Sequence, residues 1–271
     1  IHQPDAERVA AVADRVAAWH VLGAVSADAR KLAIVLSTYP GRPDQMAHAV
    51  GLDAPASTEA ILNLLARTGH NVTEDARPLA DALRSTRLSW PLAAYRAALA
   101  RLPAILRDAL GAAWGGPEAD PLVRDGAFHF PAIRRGAMLV ALQPERGEVH
   151  LRDSDYHDLT RTPRHAYVAF YLWLREQGLH GLVHVGAHGT LEWLPGKAVA
   201  LSATCWPEAL LGGLPVVYPF IVNDPGEAAQ AKRRTGAVTL GHLPPPQRGG
   251  AIPEGLTRLE RLLDEYSTAE G

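Results

Sequence analysis

Short runs of consecutive apolar residues alternate along the chain with longer stretches in which apolar positions recur every three or four residues. The runs are 31–37 (KLAIVLS), 182–185 and 214–222 (LPVVYPFIV), and each ends in a turn signal or a glycine-rich loop. Continuous apolar runs of this length are typical of strands buried on both faces of a sheet. The amphipathic stretches predict helices over 4–22, 57–68, 162–178, 225–234 and 256–266.

Strands that alternate with helices predict an α/β fold, and we expect a Rossmann-like, open and largely parallel sheet flanked by helices. A helical segment around 78–114 should be broken, because Pro91 and Pro103 stand where helices start or kink. A linker-like stretch follows it. The pattern therefore divides into an α/β unit at 1–125, with strand 31–37 and helix 57–68, and a second unit at 126–271. The two units could also form one composite domain.

Polar residues follow several of the predicted strands at the point where each strand ends. Tyr39 follows the first run, His184 to Glu192 follow the second, and Asn223 follows the third. The carboxyl ends of parallel strands lie at one edge of a sheet, where sites form. We therefore expect these residues to face a single cleft.

The loop at 181–197 (GLVHVGAHGTLEWLPGK) carries the densest candidate chemistry. It places His184, His188 and Glu192 within nine residues, with glycines between them. Imidazole and carboxylate together suit a borderline divalent cation such as cobalt, zinc, nickel or iron. The same groups suit proton transfer near neutral pH. The alternative is that one histidine is a core residue hydrogen-bonded to the backbone.

Lys197 follows Gly196, which suggests a phosphate-binding loop, but the rest of that motif is missing. Position 191 is Leu where the motif needs glycine, and Ala198 replaces the Ser/Thr that binds magnesium. We therefore expect no nucleotide site in this chain. Lys197 and Arg234 are instead candidates to bind an acidic ligand, or they are solvated or locally paired side chains.

Two further residues are interpreted from their position in predicted helices. His165 falls in the first turn of its helix, where the helix dipole disfavours imidazolium and keeps the ring neutral. Asp224, Pro225 and Glu227 form a capping box in its Asp form, so Glu227 is interpreted as a capping residue.

Composition narrows the function classes. A net charge of −2 provides no overall field to recruit nucleic acid. The single cysteine, Cys205, excludes an intrachain disulfide or a multi-thiolate zinc site. No apolar run reaches the roughly 20 residues of a membrane span and there is no signal peptide, so we expect a cytoplasmic protein. The chain begins at Ile1 rather than Met, so we expect it to be a piece of something longer.

Four colinear blocks resemble the large subunits of ATP-dependent cobaltochelatases, the CobN family, which is related to the large H subunits of magnesium chelatases. The blocks are TYPGRPDQMAHAVGLDAPASTEAIL (38–62), HAYVAFYLWLRE (165–176), HVGAHGTLEWLPGK (184–197) and TCWPEALLGGLPVVYPFIVNDPGEAAQAKRR (204–234). Trp193-Leu194 resembles the cobalt branch. The resemblance spans most of residues 30–245, in the order of the family.

The resemblance implies insertion of cobalt(II) into a corrin-type tetrapyrrole, hydrogenobyrinic acid a,c-diamide, in cobalamin biosynthesis. It also implies two partners, an AAA+ ATPase subunit that hydrolyses the ATP and a von Willebrand-type, integrin-I-like subunit. We expect no membrane or nucleic-acid partner.

The roles that follow from this resemblance are assigned residue by residue. Glu192 is expected to be the base or a metal ligand, with His184 and His188 as metal ligands. His188 and His165 are further candidates for proton transfer. The substrate-binding candidates are Lys197, Asn223, Arg234 and Tyr39.

Three alternatives stay open. The chain could belong to a magnesium-chelatase H-type porphyrin subunit, or it could be a tetrapyrrole- or metal-binding module without catalysis. It could also be a simple metallohydrolase built on the two histidines and the glutamate, which would leave the other matching blocks unexplained.

Overall fold

The computed structural model describes residues 3–37, 47–49, 52–147, 158–186, 189–221, 225–242 and 254–269. The first elements are α1 Ala6–Ala24, β1 Leu32–Leu36, β2 His48–Ala49, β3 Leu52–Asp53, α2 Ala54–Arg67, α3 Leu79–Ser85, β4 Arg87–Pro91, α4 Leu92–Leu99 and α5 Ala104–Trp114. They are followed by β5 Val123–Arg124, β6 Ala127–Arg135, β7 Met138–Leu142, α6 His165–Arg175, β8 Gly181–Val185, α7 Trp206–Leu211, β9 Val216–Ile221, α8 Pro225–Gln230, β10 Val238–His242 and α9 Glu254–Ala269. Short 3₁₀ turns occupy Pro117–Ala119 and Leu191–Trp193, and a π-helical turn occupies Ala231–Thr235.

Eight strands form one open sheet in the order β10-β9-β8-β1-β7-β6-β4, with β5 beside β6. The pairings from β10 through β7 are parallel, and those of β6 with β7, β4 and β5 are antiparallel. The predicted α/β class with a largely parallel sheet is confirmed. Strands from both predicted units, 1–125 and 126–271, join this sheet.

The parallel part of the sheet reverses its direction of winding next to β1. The chain goes from β1 to its neighbour β7 on one side and then returns to β8 on the other side, before continuing outward to β9 and β10. In sheets of this kind, ligands bind beyond the carboxyl ends of the strands at the reversal point. That point lies here between β1 and β8.

The central strands are apolar because both faces of the sheet are covered. All five residues of β1 are buried, and alternate ones enter opposite clusters. Ala33 and Val35 pack with α6 on one face, while Ile34 and Leu36 pack with α2 and α3 on the other. The prediction of a doubly buried strand at 31–37 is therefore confirmed.

The structure differs from the sequence prediction in the segment 78–114. Three helices are present, but Arg87–Pro91 is a strand that pairs antiparallel with β6. Its partner lies outside the segment, so local sequence gives no sign of it. The helix predicted at 57–68 begins earlier, because the side chain of Asp53 accepts a hydrogen bond from the backbone N–H of Ala56 at 2.9 Å.

Helix α1 forms as predicted, but its apolar face is exposed. Val9, Val12 and Val16 are 57%, 61% and 65% accessible. No residue of α1 is buried against the described part of the chain. The three- to four-residue spacing therefore identified the helix correctly, although its valine face is not covered here. Among the described residues, no helix is both long enough and apolar enough to span a bilayer.

A buried ion pair anchors the start of α6. The carboxylate of Asp120 accepts hydrogen bonds from Arg164 Nε and Nη2 at 3.1 and 2.9 Å, and from the backbone N–H of Ala166 at 2.9 Å. The helix begins at His165, directly after this arginine, and so starts later than the range 162–178 predicted from the sequence. The pair thus connects α6 to the turn that precedes β5.

We expect Asp120→Ala to lower the free energy of unfolding of the chain by about 3 kcal/mol, since the partly buried Arg164 loses its counter-charge and the Ala166 N–H loses its acceptor. Urea unfolding followed by circular dichroism measures the loss. Asp81→Ala is the control, because its ion pair with Arg84 is exposed and should contribute less than about 1 kcal/mol. Equal unfolding midpoints for the two variants would contradict the anchoring role.

Candidate functional site at the carboxyl edge of the sheet

The carboxyl ends of β1, β7 and β8 lie level with one another. Leu36 is in register with Leu142 on one side and with Val185 on the other. The next residues continue the ladder, because Ser37 N–H donates to the Val185 carbonyl and Gln143 N–H donates to the Leu36 carbonyl. Polar side chains that follow these strands are thereby brought to one place.

His184, in β8, is buried at this edge. Its Nδ1 lies 3.3 Å from Ser37 Oγ, and its Nε2 lies 3.4 Å from the amide nitrogen of Gln143. The amide of Gln143 has two protons and lies within reach of three acceptors, and its contact with Nε2 is longer than those with the hydroxyls of Tyr167 and Tyr171. The ring also packs edge-on against Tyr218, with centroids 5.5 Å apart. Both ring nitrogens therefore have protein partners in this conformation.

Glu192 lies in the turn Leu191–Trp193 and is brought next to His184 by Gly189. Its side chain is 4% exposed, and Oε1 accepts a hydrogen bond from Gly189 N–H at 3.0 Å. A Cβ on Gly189 would lie 2.8 Å from His184 Cε1 and 2.9 Å from Glu192 Oε2. Only glycine leaves room for imidazole and carboxylate to approach the same point, so the structure brings these two predicted residues together.

Burial changes the acidity of Glu192. Loss of solvent raises the pKa of its carboxyl to about 7, and the negative charge of Glu227 acts in the same direction. Hydrogen bonds from the backbone N–H groups of Glu192 and Gly189 oppose the rise. A carboxyl group with a pKa near 7 exchanges protons readily at neutral pH, which is what a general base needs.

A buried hydrogen-bond network supports this pair from behind. Thr190 Oγ1 donates to Gln143 Oε1 at 3.1 Å and lies 2.8 Å from the hydroxyl of Tyr167. Gln143 Nε2 donates to the hydroxyls of Tyr167 and Tyr171. Burial raises the pKa of both tyrosines above their usual value, so they remain neutral.

Sequence reasoning did not identify this network as functional. Tyr167 and Tyr171 lie in the helix predicted over 162–178, and two hydroxyls four residues apart in an otherwise apolar helix are a usable signal of a buried polar network. Gln143 directly follows a strand, as the predicted site residues do, and this position was a second signal.

Arg234 binds the main chain of the loop that carries Glu192. It is buried in the π-helical turn, where Nε donates to the Lys197 carbonyl at 3.0 Å and Nη1 donates to the Glu192 carbonyl at 2.5 Å. Burial lowers the pKa of its guanidinium. Arg234 was predicted to bind substrate, but in this conformation it fixes the main chain around Glu192. The side chain of Lys197 is exposed.

His165 lies in a different cluster. Its Nδ1 is 2.6 Å from the Tyr95 hydroxyl, and its Nε2 is 3.0 Å from the Gly115 carbonyl. A carbonyl only accepts, so the proton is on Nε2 and the tyrosine donates to Nδ1. Burial lowers the pKa of His165, and the neutral ring expected from the sequence follows from this burial. No contact described for His165 joins it to Glu192.

Three predicted site residues, Tyr39, His188 and Asn223, lie outside the described residues. Within the described residues, no group of three His, Cys, Asp or Glu side chains is arranged to hold a metal ion. The described part of the site brings together a carboxyl group with a raised pKa, Glu192, and the imidazole of His184.

The raised pKa of Glu192 predicts how stability changes with pH. Between the ordinary value near 4.5 and about 7, the folded chain holds a proton that the unfolded chain releases. Stability from this group is therefore fully present below about 4.5 and is lost as pH rises through 7, by about 3 kcal/mol in total. Glu192→Gln should remove this loss, so its stability relative to the native chain should increase between pH 4.5 and 8. Urea unfolding of the native chain and of Glu192→Gln at several pH values tests this expectation. It would be contradicted if the free energies of unfolding of the two chains changed with pH in parallel.

Comparison with known proteins places these observations in a family. The family model described as CobN/Magnesium Chelatase matches residues 1–271. The aerobic cobaltochelatase subunit CobN of Sinorhizobium sp is 43% identical over 286 aligned residues, which cover all of this chain but 22% of that relative. The H subunit of the magnesium chelatase of Chlorobaculum parvum is 31% identical, over 92% of this chain and 20% of its own length.

Comparison with a solved structure indicates the same family. The catalytic subunit of cobaltochelatase from Mycobacterium tuberculosis superposes with a TM-score of 0.81 at 38% identity, covering 99% of this chain and 24% of that one. The chain thus spans less than a quarter of the length of these relatives. With the family model matched from end to end, the chain belongs to the CobN/magnesium chelatase family.

Proposed function

We propose that this chain carries the proton-accepting part of the insertion site in a cobaltochelatase large subunit. The metal is cobalt(II), and its acceptor is a corrin-type tetrapyrrole, hydrogenobyrinic acid a,c-diamide, in cobalamin biosynthesis. The single observation that carries the proposal is the buried carboxyl of Glu192, with a pKa of about 7, beside His184 at the reversal point of the sheet.

The chemistry requires such a group. When a divalent cation enters the metal-free corrin, bonds from the ring nitrogens to the metal form while the inner N–H bond breaks and one proton leaves, because a corrin binds a metal as a monoanion. Glu192 can accept that proton from the ring nitrogen, because its carboxyl is close to half-ionised at neutral pH. Its ionised form also attracts the incoming cation.

The surrounding residues receive roles that match their placement. His184, held by Ser37 and Gln143, is a metal ligand only if the amide of Gln143 releases its Nε2. Lys197 is exposed and can pair with a peripheral carboxylate of the substrate. We keep Tyr39 and Asn223 as further substrate contacts, His188 as a metal ligand and His165 as a proton-relay candidate. Arg234 acts by positioning Glu192.

ATP hydrolysis belongs to partner subunits in this proposal. The residues around Lys197 lack the glycine and hydroxyl positions of a phosphate-binding loop. We therefore assign ATP to an AAA+ subunit that acts together with a von Willebrand-type, integrin-I-like subunit.

A magnesium-chelatase H-type function is the second candidate, favoured by the 31% identity with the Chlorobaculum parvum protein. The higher identity with the Sinorhizobium CobN subunit supports the cobalt assignment. Insertion assays with cobalt and a corrin, and with magnesium and a porphyrin, separate the two candidates.

We expect Glu192→Gln in the full-length subunit to lower the insertion rate by about 100-fold or more while tetrapyrrole affinity is retained, because the amide cannot accept the ring proton. The assay supplies ATP, the partner subunits, cobalt(II) and the corrin, and follows the change in corrin absorbance. Glu208→Gln is the control, since Glu208 is also buried but pairs with Arg8 and Arg15 away from the site.

Insertion at the native rate by Glu192→Gln would exclude the proposed role of this carboxyl. Tetrapyrrole binding without insertion by the native subunit, even with its partners and ATP, would instead indicate a binding module without catalysis.

A further inference from the structure

A second carboxylate reaches the turn that carries Glu192. Glu227 lies in the first turn of α8, directly after β9, and its side chain is 8% exposed. Its Oε2 accepts a hydrogen bond from the indole Nε1–H of Trp193 at 2.7 Å. Although the sequence pattern suggested a helix cap, this carboxylate extends to the neighbouring turn. Trp193 is the residue directly after Glu192, so Glu227 is tied to the site through the indole.

Besides the link through Trp193, the carboxylates of Glu227 and Glu192 interact electrostatically. The charge of Glu227 is one of the influences that raise the pKa of Glu192. Two buried carboxylates that repel each other are stabilised when a cation binds between or beside them. The guanidinium of Arg234 lies close to Glu192, but its hydrogen bonds go to the carbonyls of Glu192 and Lys197 and not to either carboxylate.

The indole explains why Glu227 stays in place. A hydrogen bond from a neutral donor to a carboxylate orients the group without cancelling its charge. Trp193 is partly buried and Leu194, which follows it, is fully buried, so the indole itself is held firmly. The arrangement therefore holds the carboxylate of Glu227 at the turn that carries Glu192.

We propose that Glu227 is a positioning residue that, oriented by Trp193, adds a fixed negative charge beside Glu192 and strengthens the binding of the divalent cation before insertion. This inference rests on the proposed function, because the charge acts on a cation bound at Glu192. Glu227 does not need to touch the metal for this effect, since Coulombic attraction acts over several ångströms in a buried site.

Three variants of the full-length subunit separate the charge from the hydrogen bond. Glu227→Gln removes the charge but keeps an oxygen that accepts from the indole. Trp193→Phe removes the donor and keeps the carboxylate. The double variant tests whether the two residues act as one unit. Glu208→Gln is the matched control, because Glu208 is 9% exposed and lies among arginines elsewhere.

Titration of the subunit with cobalt(II) chloride, without partners or tetrapyrrole, measures the effect by calorimetry. We expect Glu227→Gln to weaken cobalt(II) binding about tenfold and Trp193→Phe about threefold, with the double variant no weaker than Glu227→Gln alone. Glu208→Gln should bind cobalt(II) as the native subunit does. Tetrapyrrole affinity should be unchanged in Glu227→Gln. A general loss of structure would instead lower the affinity for tetrapyrrole together with the affinity for cobalt(II).

The outcomes are distinct. Native cobalt(II) affinity in Glu227→Gln, together with weak binding in Glu192→Gln, would overturn this inference and leave the proposed function standing. Native affinity in both variants would overturn the inference together with the metal-binding role of Glu192. Additive losses in the double variant would overturn the assignment of Trp193 as the group that orients Glu227. Parallel losses of cobalt(II) and tetrapyrrole affinity in Glu227→Gln would indicate a structural role for Glu227 and would also overturn this inference.

Discussion

The site depends on the register of three parallel strands. Because β7, β1 and β8 end level with one another, Ser37 and Gln143 lie on either side of the His184 ring, and the loop that leaves β8 starts at the reversal point of the sheet. Side chains alternate between the two faces of a strand, so a slip of one residue in β8 would turn His184 to the opposite face. The apolar packing of β1 on both faces prevents that slip and thereby determines the geometry of the site.

At this edge of the sheet, several groups lie in arrangements that lower the stability of the fold and that suit proton transfer. A carboxyl group is buried where its ionised form is disfavoured, a second carboxylate is held nearby, and a glycine occupies the one place where a side chain would separate imidazole from carboxylate. Arg234 compensates in part by binding the main chain of the loop at two carbonyls. Local sequence rules are commonly broken in this way at functional sites, and the surrounding packed sheet supplies the stability that the site does not.

The strands and the core of the site could be predicted because their signals are local. An apolar run that enters a glycine-rich loop identifies both β8 and the pair His184 and Glu192 within a few residues of sequence. The remaining features depend on partners far away along the chain. β4 pairs with β6, Gln143 meets Tyr167 only after α6 has packed, and the indole of Trp193 selects the carboxylate of Glu227. Glu227 was interpreted as a helix cap, whose partner Asp224 lies outside the described residues, and Arg234 as a candidate to bind an acidic ligand; neither local pattern indicates the contacts with the Trp193 indole or with the Glu192 carbonyl.

The position of β1 has a consequence for how the chain folds. This strand is synthesised well before its two neighbours in the sheet, β7 and β8, which are residues 138–142 and 181–185. Its apolar residues therefore have no neighbour in the sheet until the chain has grown past β7, and the second neighbour, β8, follows later. Pairing between distant segments is slow, because the loop between them must close before any contact forms. Residues 1–125 thus contain a five-residue apolar segment whose partners in the sheet lie beyond them, and the site at its end needs both partners in place.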